Sequence, residues 1–118
     1  MGLNADFVGM GGYNNSGPIF SMGARTTVAD AVYTAKTTDY LIAYTTLTAG
    51  RTITGPAAPV PVGFTLVIKD EAGAATANNL TFAPASGNID GAGTKAVVTA
   101  NYGFAKVYFN GTNWFTIS

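Results

Sequence analysis

The sequence predicts an all-β domain, an antiparallel β-sandwich or barrel of jelly-roll-like kind, with an irregular N-terminal arm. Three observations lead there. Short runs alternating apolar and polar residues recur from residue 26 onward, and a period of two marks a half-buried strand. Turn residues separate these runs at intervals of roughly ten residues, the spacing of small sandwiches and barrels. No stretch shows helical spacing: the Ala-rich run 72–77 holds Gly73 and β-branched Thr76 and is too short.

The elements follow in chain order. Residues 1–25 form a Gly-rich arm whose large apolar residues, Leu3, Phe7, Val8, Met10, Tyr13, Ile19, Phe20 and Met22, obey neither period. A flexible linker is poor in such side chains, so this arm is expected to dock, on a neighbouring subunit in preference to its own domain. Residues 26–118 form the β-domain. Strands are expected at 26–35, 40–44 and 51–54. The stretch from Gly55 to Gly63 carries Pro56, Pro59 and Pro61, which lack the N–H a central ladder requires, so it is a connection across an end of the sheet.

Phe64, Leu66 and Ile68 then share one face of a strand over 63–69, with Thr65, Val67 and Lys69 on the other. Asp70-Glu71-Ala72-Gly73 is a turn, 79–83 a short strand, Asp90-Gly91 a second turn and 95–100 a further strand. Ala105, Val107 and Phe109 share a face of 104–109. Asn110-Gly111 joins that strand to 112–117 as a hairpin, the type I′ turn requiring positive φ at both central residues.

Composition narrows the function. Charged residues make up 10% of the 118, against roughly 25% in ordinary soluble domains. A charge-poor surface suits packing against protein, because interface centres are depleted in charge. Six basic and six acidic residues cancel. Arg25, Lys36, Arg51, Lys69, Lys95 and Lys106 are scattered without a run, so a nucleic-acid partner is not expected.

Cys and His are both absent, which excludes a disulfide scaffold and the commonest soft metal ligands. The N-terminus lacks a signal-peptide pattern, and no apolar run is long enough for a membrane span. Synthesis in a cytoplasm, without export by a cleaved signal, is expected. The sequons at Asn14, Asn79 and Asn110 reflect an Asn- and Thr-rich composition.

The catalytic inventory is thin, and no enzyme is expected. Without His or Cys, the usual nucleophile–base constellations cannot be assembled within the chain. Asp70 and Glu71 are expected in an exposed turn beside Lys69, while Asp30 and Asp39 could meet across strands. Gly9-Met10-Gly11-Gly12 precedes no helix and lacks the Lys of a phosphate loop. Asn88-Ile89-Asp90-Gly91 is like the middle of a calcium loop but has no closing Glu. No catalytic, cofactor or metal site is therefore assigned. Tyr102, Phe104, Tyr108, Phe109, Trp114 and Phe115 crowd the last strands, where alternation divides them between two faces. Core and subunit interface are the favoured roles, with sugar stacking the other.

Five pieces of sequence, in this order, resemble a module of phage tail-fibre and other virion proteins. They are Thr37-Thr38-Asp39-Tyr40-Leu41-Ile42, Gly50-Arg51-Thr52-Ile53-Thr54, Gly63 to Asp70, Gly87-Asn88-Ile89-Asp90-Gly91, and Tyr102 to Ile117 with Asn113-Trp114. The resemblance covers residues 26–118 and leaves out the arm. It implies an all-β, trimeric protein acting by assembly or receptor contact. A module that is nearly the whole chain, with a docking arm and no long shaft, is similar to a capsid decoration (cement) protein. The expectation is a homotrimer on the virion's capsid surface, bound to the major capsid protein. The alternative is the receptor-binding tip of a tail or head fibre that recognises host surface glycan.

Overall fold

The computed structural model describes residues 24–117, and among these there are nine strands and no helix. They are β1 (Arg25–Ala29), β2 (Tyr33–Thr34), β3 (Leu41–Thr46), β4 (Arg51–Thr54), β5 (Thr65–Asp70), β6 (Leu80–Ala83), β7 (Lys95–Val98), β8 (Phe104–Phe109) and β9 (Trp114–Ile117). A five-stranded sheet runs β1-β3-β5-β8-β9, and a four-stranded sheet runs β2-β4-β6-β7. The protein is an all-β sandwich.

The strand order departs from the antiparallel, jelly-roll-like expectation. β1, β3 and β5 are parallel neighbours, as are β2, β4 and β6. Only β5-β8-β9 and β6-β7 are antiparallel. A jelly roll is built from antiparallel Greek keys, so this sandwich is not one. The first six strands alternate strictly between the sheets, and each strand of one sheet is the crossover between two strands of the other. Parallel neighbours need a crossover of about a dozen residues or more, normally a helix, and here it includes a strand. The chain therefore coils around the core before β8 and β9 close it with a hairpin.

The expected strand at 26–35 shows how the coil turns. Its β-forming residues are real, but Asp30 takes φ 56° and splits it into β1 and β2 of different sheets. The carboxylate fixes that kink by accepting bonds from the Thr48 N–H (2.8 Å) and hydroxyl (2.6 Å) and from Arg51 Nε (3.1 Å). Left-handed backbone is more accessible to Asp than to most residues because its short side chain bonds locally.

Both inner faces follow the alternation. Ile42, Tyr44, Leu66, Ile68 and Val107 of the larger sheet meet Ile53, Leu80, Phe82 and Val98 of the smaller, all buried. Trp114 sits at the joint, its ring centroid 5.0 Å from Phe82, 5.3 Å from Phe109 and 6.2 Å from Phe64. Tyr44 is fully buried and donates its hydroxyl to the Ala31 carbonyl at 2.7 Å. Burial pushes its phenol up to about 12.

Two turns behave differently from one another. Asp90 and Gly91 both take positive φ (48° and 82°), and Ile89 and Ala92 exchange backbone bonds across them, as a type I′ turn requires. The Asn110-Gly111 hairpin forms, but as a four-residue loop between Phe109 and its partner Trp114, with positive φ at Gly111 only. The Asn110 side chain decides this: its Oδ1 accepts from the Thr112 and Asn113 N–H groups at 2.9 and 2.8 Å. Such an Asx turn replaces the tighter one.

Asp70 corrects the expectation of an exposed turn. It is fully buried at the end of β5. Its carboxylate accepts from the N–H groups of Gly73 (2.9 Å), Ala74 (2.8 Å), Ala75 (2.9 Å) and Tyr102 (3.1 Å). Burial raises its pKa, but these four donors outweigh burial and leave the carboxyl below its ordinary value. It pins the connection leaving β5 to the turn entering β8. Thr76 and Asn101 repeat the link through reciprocal bonds of 2.9 and 3.0 Å. Gly73 belongs to the same cluster, with φ +76°, and a Cβ there would lie 2.3 Å from the Tyr102 ring. Asp70→Asn would turn an NH₂ group toward these donors, so a loss of about 2–4 kcal/mol is expected. Urea unfolding measures it, and an unchanged midpoint would refute the pinning role.

Candidate binding site

Every described carboxylate is engaged by its neighbours. Glu71 holds Arg25 at 2.6 and 3.0 Å, and Asp30 holds Thr48 and Arg51 as above. Asp39 accepts from the Thr26 hydroxyl (2.8 Å), the Tyr33 hydroxyl (2.7 Å) and the Lys36 N–H (2.8 Å). Asp30 and Asp39 therefore do not form a carboxylate pair. Asp90 accepts from Lys95 Nζ (2.6 Å) and from the Thr116 hydroxyl (2.6 Å) and N–H (3.0 Å). Among the described residues no three metal-ligating side chains gather.

Two of these contacts join the sheets. Asp39 ties Thr26 on β1 to Tyr33 on β2, the edge strands on one side of the sandwich. Asp90 ties Lys95 on β7 to Thr116 on β9, the edge strands on the other. Beside it Trp114 donates to the Asn88 carbonyl at 2.7 Å, and its own carbonyl accepts from Asp90 N–H at 3.0 Å. An edge strand with unpaired groups invites pairing with another chain. These bonds blunt the β9 edge.

The outward faces of the two sheets differ. The smaller sheet turns out Thr34, Thr52, Thr54, Thr81 and Ala83, on the register opposite its core residues. The larger sheet turns out three rows. Arg25, Leu41, Val67, Lys106 and Ile117 align across all five strands; Thr27, Ala43, Lys69 and Phe104 form the next row, and Thr65, Tyr108 and Phe115 the third. Phe104 is 60% exposed and Ile117 43%. Tyr108 and Phe115 are half-buried, their ring centroids 5.7 Å apart. At the end of β8 and β9 an open cleft of about 320 Å³ is lined by Lys95, Val97, Phe104, Ala105, Thr116 and Ile117.

This face gathers residues that the linear pattern keeps apart. Arg25, Lys69 and Lys106 are far apart in sequence, yet the register places all three on one surface with Phe104, Tyr108 and Phe115. The expected scatter of the basic residues does not survive folding for these three. Alternation alone puts Val67 with Lys69, and Lys106 with Tyr108. The order β1-β3-β5-β8-β9, which joins the pairs, has no local signal. The crowded aromatics divide as alternation requires: Phe109 and Trp114 turn inward, whereas Phe104, Tyr108 and Phe115 turn outward. Tyr102 is 63% exposed beside Gly73. The candidate arm residues Leu3, Phe7, Val8, Met10, Tyr13, Ile19, Phe20 and Met22 lie outside the described residues.

No protein-family model and no curated protein matches this chain.

Inward and outward aromatics should separate sharply on substitution. Phe82→Ala is expected to cost about 3–5 kcal/mol, and Phe104→Ser less than about 1 kcal/mol, both read from denaturant unfolding. Comparable losses would contradict the assignment of faces. The Asp90 contact makes stability depend on acid. Its bond with Lys95, and then that with the Thr116 hydroxyl, lower its pKa from 3.8 to about 2. The unfolded chain takes up the proton first, so this contribution is complete above about pH 5 and is lost as pH falls towards 2. Thermal melts across that range should show a smaller drop for Asp90→Asn than for the parent.

Proposed function

We propose that the chain is a non-enzymatic structural protein of a bacteriophage virion, a capsid decoration (cement) protein. It binds the major capsid protein as a homotrimer, its N-terminal arm lying on capsid subunits and its β-domain facing outward. The observation that carries this reading is the commitment of all five described carboxylates to structural bonds within the fold. A domain whose described carboxylates hold its own fold together suits a role in contact.

Two further features support the reading. The Thr-rich outer face of the smaller sheet is neutral and made of short side chains, which lets another protein approach closely without stranding a charge. The described core is filled by buried residues from Val28 to Trp114.

Deleting residues 1–23 tests the mechanism while preserving Arg25, whose side chain pairs with Glu71. The truncated protein is expected to keep a cooperative melt and a β-type circular dichroism spectrum, and to lose binding to purified capsids. Decoration at full occupancy by the truncated chain would overturn the reading. Sedimentation of the full chain should give the mass of three copies.

A further inference from the structure

We propose that the outer face of the five-stranded sheet binds an acidic polysaccharide. Tyr108, Phe115 and Phe104 lie under sugar rings, and Lys106 and Lys69 take the carboxylates. The inference is separate from the capsid reading, because it uses neither the arm nor the smaller sheet.

Charge is the first argument. The chain is neutral as a whole, but its ions are segregated. Asp39 and Asp70 are buried, and Asp30 and Asp90 sit in turns with cations of their own. The rows of the outer face carry Arg25, Lys69 and Lys106 and no acid. Glu71, just past the end of β5, pairs with Arg25 and lies within electrostatic reach of Lys69, so one acid faces three cations. Among the described residues Lys106 forms no ion pair. Lys69 donates to the Tyr102 carbonyl, and an ammonium has two further donors.

Chemistry selects the ligand. Lys106 stands between Phe104 and Tyr108 on β8, about 7 Å from each along the strand. Its paired neighbours, Val67 and Ile117, are apolar, and Lys69 lies on the diagonal, about 7–8 Å away. A sugar ring presents an apolar face that stacks on aromatic rings, and a uronic acid adds a carboxylate at its rim. Such a chain satisfies the rings and the cations together.

A second copy of this protein meets the same face badly. A two-fold contact here would bring Lys106 and Lys69 opposite their own copies and remove like charges from water. A neutral apolar partner would also strand the ammonium groups. The cleft beside Phe104 and Ile117 continues the surface around the end of the sheet and gives an extended polymer a path.

The experiment is calorimetric titration of the full chain with alginate oligosaccharides, with neutral dextran as control. Saturable alginate binding is expected, weakening as salt is raised from about 50 to about 300 mM. Lys106→Gln and Tyr108→Ala should each reduce affinity roughly tenfold or more, the loss of a charge-assisted contact or of a stacked ring. Melting temperatures close to the parent's are required of both variants, and Lys36→Gln, away from the face, should bind as the parent does. Absence of alginate binding, equal binding of dextran, or an unchanged affinity in a folded Lys106→Gln variant would overturn the proposal. So would self-association of the parent that Lys106→Glu abolishes, since the face would then hold a second copy. Failure of the full chain to bind capsids, with alginate binding intact, would count against the capsid reading only.

Discussion

A sandwich of two sheets has two open sides, and here one aspartate bonds across each. Asp39 joins β1 to β2, and Asp90 joins β7 to β9, each by bonds from side chains on both edges. Asp70 adds a third tie, from the end of β5 to the turn before β8. Backbone ladders hold strands within a sheet, while hydrophobic contact between sheets is non-directional. A carboxylate accepts several bonds with defined geometry, so it can set the relative position of two sheets where packing alone would permit sliding. Three of the five described carboxylates serve as such joints.

The coiled path of the first six strands follows from filling two inner faces at once. Each of these strands turns one row of residues toward the core, and consecutive strands lie on opposite sides of it. Crossing after every strand returns the chain to each sheet in the same direction, and parallel neighbours result. The final hairpin reverses direction and brings in Trp114, whose ring touches aromatic side chains from both sheets. This arrangement leaves each sheet one outward face, and the two faces have different chemistry.

The two outward faces differ in what they can contact. Threonine and alanine on the smaller sheet give a neutral surface with little side-chain entropy to lose, suited to a flat protein contact. Aromatic rings and lysines on the larger sheet give a surface that is apolar between its charges.

Much of the β-domain was legible in its amino acids. The period of two put Leu66 with Ile68 and Val107 with Phe109 on shared faces, Asp90-Gly91 made the turn its chemistry requires, and the prolines of 55–63 excluded a central strand. These are local properties, set by backbone sterics and by side-chain alternation within a few residues. Tertiary structure decided the rest. Strand order arises from contacts between residues far apart in the chain, for which a single sequence holds no local signal. The parallel pairing, the burial of Asp70, the kink at Asp30 that sends one run of residues into two sheets, and the meeting of Arg25, Lys69 and Lys106 on one face all depend on it. The amino acids by themselves determined that this protein is all-β and which side chains leave each strand together; only the fold determined which strands, and so which charges and rings, became neighbours.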